Sequence, residues 1–270
     1  MKTLTRPLIV AFAATLLAAS CGGGDDGSAQ QGGDGSTDAG EPVYGGQVTY
    51  GLEAETSGGW CLPEGQLAIS GIQVARAIYD TLTVPNSEGE YVPFLAESVE
   101  PNEDFTEWTI TLRDGVTFHD GTPLTAEVVK NNLDAYRGSY PARQPLLLRF
   151  IFEPVTSVEV LDDSKLVVAT DVPWPAFPAA LFSDGRAGII AQAQLDDPET
   201  CDAELIGTGP FVLDEWVVND HLSASRNPDY WGTDAEGNQL PYLDSIEFRP
   251  VVDAVTRGNA VLSGDLDMAH

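Results

Sequence analysis

Histidine and carboxylate side chains are the residues of this chain from which metal or hydrolytic chemistry would be built. The three histidines, His119, His221 and His270, lie far apart in the sequence. His119 precedes Asp120 in the stretch FHDG, but one histidine beside one aspartate lacks the three or four ligands of a zinc site. We therefore expect His119 to be a turn residue, and we expect neither a metal nor a cofactor.

Enzyme motifs support catalysis no more strongly than the histidines do. The sequence contains no Gly-x-Ser-x-Gly elbow and no His-Glu-x-x-His pair. An exported hydrolase remains the enzymatic alternative, because a glycosidase needs only two carboxylates. Acidic pairs are, however, expected by chance among 42 aspartates and glutamates. The residue types favour a protein without catalytic activity.

The first of three cysteines ends a short apolar segment at the start of the chain. Two basic residues precede apolar residues 8–19, a stretch shorter than the roughly 20 residues that cross a bilayer. A basic start, a short apolar core and small residues before a cleavage site are typical of a secretory signal peptide. The run AASC at 18–21 resembles the lipobox of bacterial lipoproteins, with alanine where leucine is usual. We predict a signal peptide over 1–20 and lipidation of Cys21; the alternative is an ordinary signal peptide and a free thiol.

Residues 21–42 contain mostly glycine, serine, aspartate and glutamine. Such a segment buries too little apolar surface to offset the entropy cost of ordering it. Its mean span as a flexible coil is roughly 25 Å. Each buried lipid methylene contributes about 0.8 kcal/mol to membrane binding. We predict a flexible linker that holds the folded part off the outer face of a membrane, to which lipid alone attaches the chain.

The two remaining cysteines are Cys61 and Cys201. In an exported, oxidising setting an even pair of cysteines is expected to form a disulfide. A metal pair is the alternative, which the distant histidines do not support. We predict a Cys61–Cys201 disulfide.

The charge balance excludes several partners. The formal net charge is −29, and removal of Lys2 and Arg6 with the signal peptide leaves 11 basic against 42 acidic side chains. This field repels nucleic acid and anionic lipid. The carboxylates indicate a solvated surface, and a preference for cationic ligands is the sharper interpretation. Apolar residues make up 43% of the chain, which is ample for a folded core from residue 43 onward.

The periodicity of the apolar residues predicts a mixture of strands and helices. Alternation predicts strands in QVTYGL, EWTITL and SIEFRPV, and hairpins that turn at 162–164 and near 219–220. Helical spacing predicts helices in LAISGIQVARAIYDTL, in AEVVKNNLDAYR capped by Thr125, in PWPAFPAALF, and from Asp253 to Leu262. The apolar stripe of the first helix is expected to comprise Ile69, Ile72, Ala75, Ile78 or Tyr79, and Leu82.

Several segments in one order carry a resemblance to a known family. They are GGQVTYGLEAE, ARAIYDTL, FLAESVEPNEDFTEWTITLRDGVTFHDGTPLTAEVVKNNLDAY, VEVLDDSKLVVATDVPWPAF, LIGTGPFVLDEWVVNDHLSASRNPDYW and LDSIEFRPVVDAVTRGNAVLSGDLDM. This ordered set resembles the lipid-anchored solute-binding proteins of bacterial ABC importers, in the extracellular family 5 that takes peptides, dipeptides and nickel. The likeness covers most of 43–270.

The resemblance implies an α/β (mixed α+β) fold, that of the two-lobed class II periplasmic binding proteins. It implies a core subdomain at 43–52 and 169–270 and an inserted subdomain at 53–168. In the family a second lobe follows the stretch LSGDLDM, so we expect the chain to hold the first lobe, as an incomplete piece of the gene product.

A receptor for peptides of any sequence must bind the peptide backbone, through a strand edge or loop with free N–H and C=O groups. By resemblance, the first lobe supplies this edge just before the helix GIQVARAIYDTL. The residues expected there are Leu67, Ala68, Ile69 and Ser70. For Ile69, core packing on the helix is an equal alternative.

Two further places are candidates for ligand contact. Trp60 lies in a glycine-rich loop beside Cys61, where its ring could cover a ligand; a surface-packed tryptophan is the alternative. A disulfide at Cys61 would pre-order this loop. The stretch IGTGPF, with Thr208 and Gly209, suits a tight turn where the backbone approaches another group, either near the cleft or as a structural turn.

The resemblance implies a monomeric receptor, located outside the cytoplasm, that captures oligopeptides or dipeptides and delivers them to an ABC permease with its separate ATPase. A lipoprotein that presents peptides to a sensor is an alternative with the same binding fold. The ligand itself, whether peptide, nickel or another solute, is not fixed by the sequence.

Overall fold

The structure is a computed structural model and describes residues 41–56 and 58–270. The predicted signal peptide, Cys21 and nearly all of the linker lie outside the described residues, as does Ser57. Within the described part, no helix is both long and apolar enough to span a bilayer.

The secondary-structure elements mix strands and helices without strict alternation. In chain order they are β1 Gln47–Leu52, α1 Ile69–Ile78, β2 Thr83–Pro85, β3 Tyr91–Pro93, β4 Ala96–Pro101, β5 Glu107–Leu112, α2 Ala126–Arg137, α3 Leu147–Ile151, β6 Val155–Asp162, β7 Lys165–Thr170, α4 Phe177–Ala180, α5 Gln192–Asp196, β8 Phe211–Val217, β9 His221–Arg226, β10 Ser245–Pro250, α6 Ala254–Ser263 and β11 Met268–Ala269. Each strand and helix predicted from periodicity is confirmed.

A five-stranded mixed sheet has the order β11-β1-β10-β9-β8. Strand β1 pairs in parallel with β10, from Gln47 opposite Ser245 to Leu52 opposite Pro250. The hairpin β8–β9 is antiparallel, and Asn219 takes a positive φ of 63° in its turn, a conformation that asparagine tolerates better than most residues. The sheet therefore joins the start of the described chain to its last quarter.

A four-stranded antiparallel sheet has the order β4-β5-β7-β6. In β5 the alternate residues Trp108, Ile110 and Leu112 are buried, as the sequence predicted. The domain boundary predicted after residue 168 falls inside β7, since that strand continues to Thr170. Strands β2 and β3, which precede β4 in the sequence, form a separate two-stranded sheet.

The residues at the two ends of helix α2 explain where this helix begins and ends. The side chain of Thr125 accepts a hydrogen bond from Val128 N at 3.3 Å and caps the helix. Gly138 ends it with a φ of 83°, in the left-handed conformation that glycine adopts without strain. The buried Asn132 bonds both the N–H and the C=O of Ile190, at 3.0 and 2.9 Å. The helix is thus fixed to the strand-free segment before α5.

Helix α1 buries the middle of the predicted stripe but not its first residue, and it ends at Ile78, so Leu82, which the spacing placed on this helix, lies beyond it. Ile72, Ala75 and Ile78 are at most 8% exposed, whereas Ile69 is 56% exposed. Core packing of Ile69, one of the two interpretations of that residue, is therefore wrong. The physical reason is that Ser70, 2% exposed, takes the inward position at the first turn, which leaves the preceding side chain facing out.

Candidate ligand-binding site

The segment Leu67–Ser70 forms an extended entry into α1 with unused hydrogen-bond donors. Ala68 is extended, with φ −76° and ψ −180°, and no side chain caps the helix. Among the described residues, no acceptor receives the backbone N–H groups of Leu67, Ala68, Ile69 and Ser70. We call residues 67–70 the backbone strip. Ala68 and Ile69 are the exposed residues of the strip.

The other side of the backbone strip is fixed by specific contacts. Arg186 Nε donates to Leu67 O at 3.0 Å. Ser70 Oγ accepts from Ala54 N at 3.3 Å, which ties the strip to the segment after β1. Leu67 and Ser70 are buried at 4% and 2% exposure. Inward anchors thus hold the strip while its backbone donors stay free, and Arg186 is a positioning residue that the sequence did not reveal.

A large cavity adjoins the backbone strip. Its volume is about 610 Å³, and its lining residues are Gln66, Pro145, Leu146, Leu147, Arg149 and Phe150. We call it the apolar cavity. The exposed fractions of Leu146, Leu147 and Phe150 are 47%, 39% and 77%. These residues were missed from the sequence, although the run PLLLRFIF, apolar on both faces of a short helix, was the available signal.

Two hydrogen bonds join the segment that precedes the strip to the segment beside this cavity. Leu146 N donates to Pro63 O at 3.2 Å, and Gln144 N donates to Glu64 Oε1 at 2.7 Å. The segments 63–66 and 144–146 therefore run side by side. Since Gln66 both lines the cavity and precedes Leu67, cavity and strip form one continuous surface.

A second cavity of about 490 Å³ shares Leu146 with the first. We call it the acidic cavity, because Glu64 and Asp202 line it. Arg143 also lines it, but the side chain of Arg143 is only 4% exposed. Its donors are taken by Leu195 O at 2.7 Å, Asp197 O at 2.7 Å and Cys61 Sγ at 3.1 Å. The guanidinium of Arg143 therefore stabilises the fold rather than offering its donors to the cavity.

The predicted disulfide is confirmed. Cys61 and Cys201 are joined, with their Cα atoms 4.9 Å apart, and both residues are buried. Trp60 N donates to Asp202 O at 2.9 Å beside the bond. These contacts attach the loop before the backbone strip to the segment after α5.

Trp60 does not lie at the surface. Its side chain is 1% exposed, and its ring meets that of Trp216 edge to face at a centroid distance of 5.7 Å. The alternative of a surface-packed tryptophan is therefore wrong, because the ring belongs to the core. In this conformation it offers no face to a ligand, and its predicted role as a cover stays a prediction.

Thr208 and Gly209 lie at the far end of α1 from the backbone strip. A Cβ on Gly207 would be 2.0 Å from Ile78 O, and Gly209 N donates to that same oxygen at 2.9 Å. The close backbone approach predicted for IGTGPF is confirmed, and its partner is the last turn of α1. Because α1 has ten residues, about 15 Å separates this turn from the strip. A ligand contact at Thr208 or Gly209 stays a prediction.

Asp80 is a buried acid beside this turn. Its Oδ2 accepts from Trp231 Nε1 at 2.9 Å and from Thr208 Oγ1 at 3.0 Å. Burial raises the pKa of Asp80 to about 6, because hydrogen bonds from Trp231, Thr208 and Tyr230 offset only part of the desolvation. With 4% exposure, this carboxyl fastens α1 to the segment 208–231.

His119 lies in the predicted turn, where Gly121 N donates to Phe118 O at 2.9 Å. Its ring also bridges backbone, since Gly207 N donates to Nδ1 at 3.3 Å and Nε2 lies 3.0 Å from Gly209 O. Burial lowers the pKa of His119, so the neutral ring is favoured. Within residues 41–56 and 58–270, no three histidine, cysteine, aspartate or glutamate side chains come together as metal ligands would.

Known proteins share this fold and part of this sequence. The chain is 32% identical over 197 residues to the glutathione-binding protein GsiB of Escherichia coli K12, a match that covers 73% of this chain and 37% of that protein. The agropinic acid complex of AgaA from A. tumefacien R10 superposes with a TM-score of 0.70 at 28% identity, over 82% of this chain and 43% of that one. The chain thus spans well under half the length of these relatives.

A peptide receptor gives the same fold. AppA of Bacillus subtilis, an oligopeptide-binding protein solved with a nonapeptide, has a TM-score of 0.71 at 22% identity, over 84% of this chain and 44% of that one. Residues 90–270 match the family described as bacterial extracellular solute-binding proteins, family 5 Middle. These matches confirm the resemblance and the mixed α/β fold of a periplasmic binding protein. The chain belongs to family 5 of the bacterial extracellular solute-binding proteins.

Proposed function

We propose that this chain is part of a receptor outside the cytoplasm that captures peptides and delivers them to an ABC permease, whose ATPase is a separate protein. The observation that carries the proposal is the backbone strip, with four backbone N–H groups that no described residue accepts. We further propose that the receptor is a monomer attached to the membrane by lipid at Cys21.

A row of free backbone donors suits a ligand that repeats one acceptor at regular intervals. The peptide backbone is such a ligand, because every residue carries a C=O group whatever its side chain. Each net hydrogen bond of this kind contributes about 1 kcal/mol. Several such bonds would select for peptides without selecting a sequence, and the roomy cavities beside the strip leave space for side chains.

The printed ligands of the relatives support a peptide. GsiB is described as binding glutathione, and AppA was solved with a nonapeptide. AgaA, solved with agropinic acid, is the exception among these three.

Removing one donor of the backbone strip tests the proposal. Ala68 has a φ of −76°, which proline adopts without strain, so Ala68→Pro removes its N–H while the backbone path is kept. Calorimetry of the intact protein with alanine-based peptides should give heat for the unmodified protein. The variant should bind about fivefold more weakly.

Ala68→Val is the matched control, because it changes the side chain to one of about the size of proline, adds no hydrogen-bonding group at the N-cap, and keeps the N–H. It should bind as the unmodified protein does, and thermal unfolding should show that both variants are folded. If the intact protein gave no heat with any peptide, the proposal would be refuted. Equal affinity of the proline and valine variants would exclude the strip as the peptide-binding edge.

A further inference from the structure

The apolar cavity exists because helix α3 is apolar on two sides. Leu148 and Phe152 point inward and are each 1% exposed, whereas Leu147 and Phe150 point outward at 39% and 77% exposure. Removing a large apolar side chain from water contributes about 1.5–3 kcal/mol. This outward face therefore offers substantial binding energy to an apolar group that fills it.

From this arrangement we propose that the ligand is a peptide with a large apolar side chain, which fills the cavity of Leu146, Leu147 and Phe150, and with no net negative charge. The inference rests on the proposed function and specifies its ligand class.

A peptide side chain fits this place because the cavity continues the backbone strip. Gln66 belongs to the cavity wall and directly precedes Leu67. In an extended peptide, neighbouring residues advance about 3.3 Å and their side chains point to opposite sides. A peptide bonded to the strip thus directs alternate side chains towards one wall of the groove. The volume of about 610 Å³ is ample for a leucine or phenylalanine side chain.

The requirement for a ligand without net negative charge follows from the acidic cavity, which adjoins the apolar cavity. Leu146 is common to both cavities. The segment 196–204 beside the disulfide contains five acidic residues and no lysine or arginine. Arg143, a buried cation, already donates to two backbone carbonyls and lies 3.9 Å from Glu64. Arg149, an exposed cation, lines the apolar cavity, but the five acidic residues of 196–204 outnumber it, and the net charge of −29 repels an anionic ligand at longer range.

This requirement separates the chain from the glutathione-binding relatives. Glutathione is a small tripeptide with net negative charge, a γ-linked glutamate and no large apolar side chain. Neither cavity suits it. The identity of 32% to GsiB is therefore compatible with a different ligand.

The test compares the tripeptides Ala-Phe-Ala, Ala-Leu-Ala, Ala-Ala-Ala and Ala-Glu-Ala, and glutathione, by calorimetry with the intact protein. We expect Ala-Phe-Ala and Ala-Leu-Ala to bind about tenfold more tightly than Ala-Ala-Ala. Ala-Glu-Ala and glutathione should bind more weakly than Ala-Ala-Ala.

Substitutions test whether the apolar cavity causes this preference. Phe150→Ala should weaken Ala-Phe-Ala about tenfold and leave Ala-Ala-Ala unchanged, so that the preference itself disappears. Leu161→Ala is the matched control, because Leu161 is 57% exposed at the end of β6 and lines neither cavity. Tripeptides that bind with equal affinity, or a phenylalanine preference that survives in Phe150→Ala, would overturn the ligand class while the peptide receptor stands. Absence of binding to every peptide would overturn both.

Discussion

Replacement of Asp80 by asparagine would remove a buried charge and keep the shape of the side chain. Trp231 and Thr208 both donate to Oδ2, and an amide oxygen is also able to accept both bonds. The amide nitrogen would face the hydroxyl of Tyr230, which now lies 3.5 Å from Oδ1 and is able to accept. The variant therefore isolates the free energy of the charge.

The pKa of Asp80 fixes the expected magnitude and its sign. Burial raises it from 3.8 to about 6. Because the folded pKa exceeds the unfolded one, the folded state binds more protons in this window, and the free energy of unfolding falls as pH rises from about 4 to about 6. A shift of about 2 units corresponds to about 3 kcal/mol. The D80N variant has no ionisable group at this position, so its free energy of unfolding does not show this decline.

Urea unfolding of both proteins, followed by tryptophan fluorescence, measures the effect. The difference in free energy of unfolding, D80N minus unmodified protein, should rise by about 3 kcal/mol between about pH 4 and about pH 7. All other titrating groups are common to both proteins and cancel. A difference that stays constant within about 0.5 kcal/mol would refute the raised pKa.

Asp234→Asn is a control of opposite sign. Hydrogen bonds from Tyr242 and Asn238 lower the pKa of Asp234 to about 2. Its contribution to stability is therefore present above about pH 4 and is lost as pH falls through about 2. The two variants should depart from the unmodified protein in different windows and in opposite directions.

Three further substitutions test the contacts around the site. Alanine at both Cys61 and Cys201, whose disulfide closes a separation of 140 residues, should lower the free energy of unfolding by up to about 5 kcal/mol; urea unfolding measures this, and an unchanged midpoint would contradict it. Gly207→Ala should cost about 3 kcal/mol because its Cβ would overlap Ile78 O, and a midpoint shift of under about 0.5 kcal/mol would count against the close approach. Arg186→Ala should weaken the binding of all peptides by a similar factor, since Arg186 fixes the strip through Leu67 O; peptide calorimetry would disprove this if only some peptides were affected, and Arg186→Lys should restore part of the affinity.

Local patterns predicted the strands and helices because the spacing of apolar residues and the residues that begin and end each element lie within short stretches of sequence. The alternation of Trp108, Ile110 and Leu112 and the cap at Thr125 are interactions within a few residues. The turn at Asn219 is likewise local. Such features were found without any knowledge of the distant chain.

Long-range features were not predictable in the same way. The parallel pairing of β1 with β10 joins residues about 200 positions apart, and nothing in either strand specifies its partner. The outward turn of Ile69 depends on which side of α1 the rest of the molecule covers. Arg186 reaches the backbone strip across 119 residues. The backbone strip itself was located from the family resemblance, whereas the apolar cavity required the structure.

The pairing of β1 with β10 also governs how the molecule can fold. The antiparallel ladder of β4 to β7 uses partners at most 62 positions apart, Glu107 opposite Ala169, and can form early. Strand β1 must wait for β10 to be synthesised, and meanwhile both its edges lack partners. High contact order slows folding, and an unpaired strand edge invites association with other chains. Closure of the five-stranded sheet is therefore the expected slow step, and the nascent first strand is the segment most in need of protection by a chaperone.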